Sequence, residues 1–345
     1  MRGVDVLTDR ELKVLEAVVE TYIRTAEPAG SQTVARRYPL GLSPASIRSI
    51  MSDLEAKGYL FHTHASGGRI PTDRAYRLYV NDLMRPAPVS DLEREAIRRE
   101  LDVTRSAIAE ILRRAAQVLG VLTQELGVAA APQFDQVILD RLDLVHIASD
   151  RLLLVFHLRS GAVRTIFVQI PSHVAPATVE HVARILNERL GGLTLREIRA
   201  TLAERLRDAD GGPAGGDLLN IFIAEGEGLF GVDVESDGVV LGSAELLAGQ
   251  PEFSSNERIR GLLSLTERRD LLREALLARH QSGLSITIGS EHADQRLTDF
   301  TLVTSSYRIG DLTGVIGVIG PTRMPYDKII GLVQHTSRLV EGLMT

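Results

Sequence analysis

Residues 42–60 read LSPASIRSIMSDLEAKGYL, a stretch that predicts a helix with an outer face of small side chains. Ser43 can cap this helix through its hydroxyl, and Pro44 at the first helical position loses nothing by lacking an N–H. The apolar residues recur at the three-and-four spacing of a buried stripe, and they are Ile47, Ile50, Met51 and Leu54. The residues left outside are Ala45, Arg48, Ser49, Ser52 and Ala56. Small side chains with one arginine suit a helix that presses against another surface, and the major groove of DNA is such a surface.

Two further helices are predicted before this stretch. Thr8 and Glu11 have the spacing of a capping box, which starts a first amphipathic helix. Ser31 can cap a short second helix that runs through Tyr38, and a turn then leads into the quoted stretch.

A hairpin is predicted after the stretch. Residues 59–63 have a strand pattern, and Ile70 starts a return strand that Pro71 cuts short. The tip HASGGR has a flexible composition and carries Arg69, whose guanidinium could enter a minor groove or contact a phosphate. The whole order is typical of a helix-turn-helix followed by a wing, although inert modules and protein-docking domains also combine three short helices with a hairpin.

The length and composition limit the class of protein. The chain has 345 residues and no cysteine, so two or three domains are expected, and disulfides, thiolate metal sites and cysteine nucleophiles are excluded. No run approaches the roughly 18 to 20 apolar residues of a membrane span, and the first residues lack an apolar signal core. We therefore expect a soluble, cytoplasmic protein with no membrane partner.

The charge of the chain is unevenly distributed. The formal net charge is −6, yet residues 1–84 hold 11 basic and 10 acidic side chains, or +1, which leaves −7 for the remainder. Residues 31–80 hold 7 basic and 3 acidic side chains, or +4. An acidic body behind a basic N-terminal segment would repel DNA everywhere except at that segment.

The middle of the chain alternates between helical and strand patterns. RPAPVS, residues 85–90, predicts a linker, and two to three dozen helical residues follow it with a possible break near Val103. Three antiparallel strands are predicted over 137–169, and two helices are predicted over 176–190 and 194–207.

The last third of the chain predicts an insertion into a strand-rich domain. DGGPAGGD, residues 210–217, has the most flexible composition in the chain and predicts a boundary. Residues 218–280 then form a block whose helices are capped near Ser254, and a final amphipathic helix begins at Pro325. Strand patterns return in between, at 284–288, 300–308 and 313–319.

The block is rich in leucine, at positions 262, 263, 265, 271, 272, 276 and 277. These are more apolar side chains than one short helical pair can readily hide, so a partner surface is the simplest way to bury them. The block from about 216 to 282 is therefore predicted to hold two subunits together.

No motif predicts an enzyme, a cofactor or a metal. GVIGVIG, residues 314–320, superficially resembles a phosphate loop but lacks the Gly-Lys-Ser/Thr ending, so a structural role is favoured. His62 and His64 face the same side of the predicted hairpin strand. Without a third clustered ligand they are expected to be surface histidines and not a metal site. We expect no catalytic activity.

Several stretches together resemble one protein family. AEPAGSQTVARRYPLGLSPASIRSIMSDLEAKGYL (26–60) and HASGGRIPTDRAYRLYV (64–80) closely resemble the N-terminal domain of the HrcA family, the heat-inducible transcription repressors of bacteria. QPEF (250–253), IGSE (288–291) and GVIGVIGPTRMPY (314–326) also resemble motifs of that family. The resemblance therefore spans nearly the whole chain.

The resemblance implies an α+β multidomain fold with an N-terminal winged helix-turn-helix, a GAF-like central domain with an antiparallel sheet, and an inserted dimerisation domain. The expected division is a DNA-binding domain over 1–84, a linker and long helical region over 85–127, the first part of the GAF-like domain over 128–213, the dimerisation domain over 216–282, and the second part of the GAF-like domain over 283–345.

The resemblance also implies a function. A homodimer would repress heat-shock chaperone operons by binding double-stranded DNA at an inverted-repeat operator, and a GroEL-type chaperonin would keep it active. The alternative is a small-molecule-responsive regulator, because GAF-like domains often hold ligands.

Ten residues are candidate DNA contacts, and they are Ser31, Gln32, Thr33, Arg36, Ala45, Ser46, Arg48, Ser49, Ser52 and Arg69. One position departs from the family. Its members usually have Asn-Glu where this sequence has Ser49-Ile50. Serine is a shorter and less selective base reader than asparagine, so contacts to the DNA backbone are expected to carry over here more than a base contact.

Overall fold

The computed structural model describes residues 7–62, 67–101, 108–132, 136–161, 163–170, 174–230, 238–278 and 283–344. These residues form a mixed α and β structure in which all paired strands are antiparallel. None of the helices within these ranges is both long and apolar enough to cross a membrane.

The N-terminal segment, residues 7–83, is called the head. It contains α1 (Asp9–Thr25), α2 (Ser31–Arg37), α3 (Pro44–Ala56), β1 (Leu60–Phe61), β2 (Ile70–Pro71), α4 (Asp73–Leu78) and a π-helical turn (Tyr79–Leu83). The predicted starts of α1 and α3 are confirmed, because Thr8 and Glu11 form a capping box and the Ser43 hydroxyl accepts from the Ser46 N–H at 3.1 Å. The predicted start of α2 is wrong, since Gly30 is the residue before the first turn and Ser31 already lies inside it.

The hairpin after α3 is shorter than predicted. Leu60 pairs with Pro71 and Phe61 pairs with Ile70. Residues 63–66, which include half of the expected tip, lie outside the described residues. The backbone of Arg69 is fixed by two hydrogen bonds to the backbone of Ala29, at 2.8 and 2.9 Å. The returning strand is therefore attached to the loop that precedes α2.

Residues 84–90 form the predicted linker, without helix or strand, and lead to two helices. Ser90 and Glu93 make capping contacts at the start of α5 (Asp91–Leu101), and α5 packs against α6 (Ile108–Thr123). The predicted break near Val103 lies outside the described residues.

A five-stranded sheet forms the centre of the chain and, with the helices on it, is called the body. Its order is β7 (Val239–Leu241), β3 (Leu126–Ala130), β10 (Leu312–Pro321), β9 (Phe300–Ile309) and β8 (Leu284–Ile288). The helices α6 and α14 (Tyr326–Leu343) pack on one face. The helices α12 (Asn256–Glu267) and α13 (Arg269–Leu277) pack on the other face. Short helical turns precede or connect these elements, at α11 (Glu245–Ala248), Pro251–Phe253, Gly289–Glu291 and Gln295–Leu297.

The glycine-rich stretch GVIGVIG lies within β10, in agreement with its predicted structural role. A Cβ atom at Gly317 would overlap the carbonyl oxygen of Val303 on the neighbouring strand. Glycine is needed at this position because two backbones approach closely, and phosphate binding has no part in it.

A separate three-stranded sheet lies between β3 and β7 in the sequence. It consists of β4 (Leu139–Ala148), β5 (Arg151–Leu158) and β6 (Val163–Gln169), as predicted for 137–169. One face is buried beneath α7 (Pro176–Leu190), α8 (Leu195–Leu206), α9 (Gly212–Ala224) and α10 (Gly226–Phe230). The ring of Phe230 meets the ring of Phe156 edge to face, at 5.3 Å between centroids.

The stretch DGGPAGGD, predicted as a domain boundary, lies mostly within a helix. Gly212 starts α9 with Pro213 in its first turn, where the missing N–H costs nothing. α9 packs against α7 along this stretch, and a Cβ at Gly215 would lie 3.4 Å from Val182, an ordinary contact distance. The predicted domain edges at 213 and 216 therefore fall inside one helix. Along the chain, the described segment that lies between the adjacent strands β3 and β7 of the five-stranded sheet is 136–230.

Most leucines of 216–282 are buried without a partner subunit, contrary to the prediction. Five of them are at least 94% buried on the five-stranded sheet of the same chain, namely Leu262, Leu265, Leu271, Leu272 and Leu276. Leu277 packs against the same cluster, and Leu263 is 53% exposed. The residue that caps α12 is Ser255, one position after the predicted Ser254.

Candidate nucleic-acid interface

The outer face of α3 is exposed, as the sequence predicted. Its exposed residues include Ala45, Ser46, Arg48, Ser49, Ser52 and Ala56. The opposite face is fixed by burial of Ile47, Met51 and Leu54 against the other head helices, and Ile50 is half-buried at the edge. The small side chains therefore lie on a surface that another molecule can approach closely.

A cleft of about 180 Å³ separates α3 from the returning strand of the hairpin. Four predicted DNA contacts line it together, and they are Ser31, Arg48, Ser52 and Arg69. The remaining lining residues, Ala29, Met51, Gly67 and Gly68, are small or apolar. The structure thus brings residues from α2, α3 and the hairpin to one place, although Arg69 follows Ser31 by 38 positions in the sequence.

Arg69 is less free than the sequence indicated. Its Nε lies 2.8 Å from a carboxylate oxygen of Glu55 near the end of α3, and its Nη1 donates to the carbonyl oxygen of Gly67 at 3.2 Å. Its side chain is 15% exposed. The expectation of a guanidinium on a flexible tip is therefore wrong, because an ion pair and the backbone bonds to Ala29 hold this residue in place.

The start of α2 presents a mixed surface. Gln32 and Arg36 are exposed, Thr33 is half-buried, and Ser31 is 8% exposed at the bottom of the cleft. Ser31 therefore contributes to the wall of the cleft more than to the outer surface of the head.

The basic charge of residues 31–80 divides into two groups. Lys57, Arg69 and Arg77 each make an ion pair, with Glu11, Glu55 and Glu291 respectively. Arg74 lies 4.3 Å above the ring centroid of Tyr59 and donates to the carbonyl oxygen of Lys57.

Arg36, Arg37 and Arg48 form the second group: they are exposed and make no ion pair with any residue that the structure describes. Arg37 counts among the basic residues of 31–80 but was not among the ten candidate DNA contacts, although it follows Arg36 directly.

No metal site is seen in the part of the chain that the structure describes, where no three histidine or acidic side chains come together as possible ligands. His62 pairs with Glu55 at the surface of the head. His64 lies outside the described residues, so the prediction for that pair is not tested.

Comparison with known proteins agrees with the resemblance found in the sequence. The family model for the HrcA protein C terminal domain matches residues 109–330. The heat-inducible transcription repressor HrcA of Chlorobium phaeobacteroides (strain BS1) is 37% identical over 340 residues, which cover 95% of this chain and 96% of the relative. The protein of the same name from Chlorobaculum tepidum is 35% identical over 341 residues and 95% of each chain.

A solved structure shares the overall fold. It is described as the crystal structure of a hypothetical protein at 2.2 Å resolution, and it superposes with a TM-score of 0.72 and 24% identity over 99% of both chains. The family model and the full-length relatives agree, and the chain therefore belongs to the HrcA family of heat-inducible transcription repressors.

Proposed function

We propose that the protein represses heat-shock chaperone operons in the cytoplasm by binding an inverted-repeat operator as a homodimer, with the head acting as a winged helix-turn-helix. The observation that carries the proposal is the exposed, small-residue face of α3 beside a cleft that the hairpin closes. The element order of the head, with α2 before α3 and a hairpin after it, is the order in which such domains present a recognition helix.

Each candidate residue has a role in this proposal. Ala45, Ser46, Ser49 and Ser52 let α3 enter the major groove, and Arg48 is long enough to reach a guanine edge with two hydrogen bonds. Gln32, Thr33 and Arg36 approach the phosphates from α2, with Ser31 below them. Arg69, held by Glu55, contacts the DNA backbone beside the groove.

Arg48→Ala should weaken operator binding by about 1 to 3 kcal/mol, which is roughly 5- to 150-fold, if Arg48 contacts a base. The loss should be larger for the operator than for unrelated duplexes, since a phosphate contact alone would weaken all sequences alike. Titration of labelled duplexes by fluorescence anisotropy at several salt concentrations measures both effects.

Arg308→Ala is the matched control, because Arg308 is an exposed arginine on β9 of the body. It removes one positive charge far from the proposed interface. Equal operator affinities for Arg48→Ala and Arg308→Ala would contradict the docking of α3 in the groove.

We assign dimerisation to the three-stranded sheet, which replaces the earlier assignment to 216–282. The sheet face opposite α7 carries four exposed apolar side chains, and their exposed fractions are 44% for Val145, 53% for Ile147, 60% for Val163 and 66% for Phe167. An uncovered apolar sheet face of this kind is typical of a protein interface. A second copy of the chain is the occupant we choose, because an inverted repeat requires two heads related by a two-fold axis. The five-stranded sheet with its helices is then the GAF-like domain.

We expect a GroEL-type chaperonin to raise the fraction of active repressor. The exposed sheet face would be open to aggregation before two subunits meet, and chaperonins act on such species. Adding purified chaperonin and ATP to heat-treated protein should restore operator binding, measured as the active fraction by stoichiometric titration with DNA. Recovery with a small molecule alone would instead support the alternative of a metabolite-responsive regulator.

A further inference from the structure

Among the described residues, polar contacts attach the head to the body at two places that are remote from the exposed face of α3. The first attachment joins α4 to the short turn after β8. Arg77 donates from Nε to Glu291 at 2.7 Å and from Nη2 to the carbonyl oxygen of Ile286 at 2.7 Å. The N–H of Ser290 donates to the carboxylate of Asp73 at 2.8 Å.

The turn is shaped to receive this carboxylate. Gly289 has φ of +49°, and a Cβ at this position would overlap the carboxylate of Asp73. A side chain here would be strained and would also displace the head. The sequence IGSE thus forms a binding surface for α4 of the head, and Ser290 and Glu291 make its polar contacts.

The second attachment joins the end of α1 to the loop after β10. Arg323 donates from Nη1 to the carbonyl oxygen of Ile23 at 2.7 Å, and from Nη2 to Glu252 at 2.9 Å. Ile23 lies in the last turn of α1, where carbonyl groups lack helical partners and a cation is favoured. The side chains of Arg323 and Glu252 are each 14% exposed, so this ion pair is largely shielded from water.

Between the two attachments the ring of Tyr76 in α4 meets the ring of Tyr326 in α14, with 6.0 Å between centroids. Both residues are buried. Two polar attachments with a buried contact between them oppose rotation of the head about either single attachment. The residues that α3 presents to DNA are not part of this interface and remain exposed.

We propose that Asp73, Arg77 and Arg323 determine the spacing between operator half-sites that the dimer accepts. This inference rests on the proposed function. The three stretches QPEF, IGSE and GPTRM, which contribute nothing to the DNA face, supply Glu252, Glu291 and Arg323 to the attachments. Their role here is to hold each head at a fixed position on the dimer.

The physical reason is the geometry of the double helix. One base pair more between two half-sites moves the second by about 3.4 Å and turns it by about 34° around the helix axis. Heads that only the linker of residues 84–90 joined to the body would sample many positions and tolerate such changes. Heads that are held at two points would tolerate few changes in the half-site spacing.

The test compares wild type with Arg77→Ala/Arg323→Ala on DNA that the wild-type protein selects from a random duplex library. The two half-sites are then moved apart or together in single base-pair steps. For the wild type we expect affinity to fall by about 10-fold or more for one step from the best spacing. For the double variant we expect a change below about 3-fold per step, with the affinity for a single half-site unchanged.

Arg113→Ala/Arg296→Ala is the matched control, since it also removes two arginine ion pairs but both lie within the body. It should keep the wild-type spacing profile. If the double variant fails to fold, Arg77→Ala alone serves, because its ion pair is about one-third exposed and should contribute little to stability.

A covalent rescue makes the test sharper. The chain has no cysteine, so Asp73→Cys/Ser290→Cys in the double-variant background supplies the only two thiols of each chain, one on each side of the first attachment. Oxidation should restore a narrow spacing profile, and reduction should broaden it again. Identical spacing profiles for wild type and double variant would overturn the inference while leaving DNA binding intact. Failure of the wild type to select any DNA would instead overturn the proposed function.

Discussion

Phe167→Asp should separate the two subunits and lower operator affinity by about 10²- to 10⁴-fold, the range expected when two linked binding modules lose their connection. Phe167 pairs across the sheet with Leu153, which pairs in turn with Val145, so these three residues form one apolar row over the three strands. A carboxylate at the end of this row would have to be desolvated in any interface that covers it. Analytical ultracentrifugation measures the mass, and anisotropy titration measures the affinity.

Leu92→Asp is the matched control for this substitution. Leu92 is 84% exposed on α5, so the change again replaces an exposed apolar side chain by a carboxylate, but away from the three-stranded sheet. It should remain dimeric and bind operator like wild type. A single half-site should bind Phe167→Asp as well as it binds wild type. A Phe167→Asp protein that is still a dimer would remove this sheet face from the assembly.

The wild-type protein should lose free energy of unfolding as the pH rises towards alkaline values, and Glu125→Gln should not show this loss. Glu125 is 1% exposed, and burial raises the pKa of its carboxyl group from 4.5 to about 8, while a hydrogen bond from Gln250 at 2.9 Å acts in the opposite direction. The folded protein therefore holds a proton on Glu125 at pH values where the unfolded chain has released it.

The sign of the effect follows from proton binding. The stabilising contribution of Glu125 is fully present below pH 4.5, and it is lost as the pH rises towards 8. At about 1.4 kcal/mol per pKa unit, the wild type should lose up to about 4 kcal/mol over this range relative to Glu125→Gln. Urea unfolding of both proteins at pH values from 5 to 9 measures the difference in free energy.

Glu204→Gln is the control, because Glu204 is an exposed glutamate on α8 and the substitution makes the same chemical change. Its pH profile should follow that of the wild type. Parallel profiles for wild type and Glu125→Gln would mean that Glu125 is ionised in the folded protein at neutral pH.

The sequence predicted most accurately those helices and strands whose characteristic residues lie within the element itself. The strand at 284–288 and the helix at 176–190 were placed correctly, because the apolar pattern of each and the proline that starts the helix lie within the elements themselves. The exposed face of α3 was also predicted, since the buried residues of one helix identify its outer residues. Most of the proposed DNA-contacting surface could thus be read from the sequence.

The errors concern contacts between distant parts of the chain. Composition predicted a flexible boundary at 210–217, but most of this stretch lies in α9, which packs against α7 although glycine weakens an isolated helix. Pairing of β7 with β3 placed the following helices on the five-stranded sheet and so buried the leucines expected at an interface. The ion pair of Arg69 with Glu55 joins a strand to a helix, and no spacing rule for one element predicts it.

The order of strands in the five-stranded sheet has a consequence for synthesis of the chain. β3 ends at Ala130, but its two neighbours in the sheet, β7 and β10, begin only at Val239 and Leu312. As the ribosome delivers the chain from its N-terminus, all five residues of β3, which are buried in the finished protein, have neither neighbour available until most of the chain has emerged. Unpaired apolar strand edges of this kind are prone to aggregation. The nascent protein therefore carries an open strand edge for much of its synthesis, whatever later covers the finished sheets.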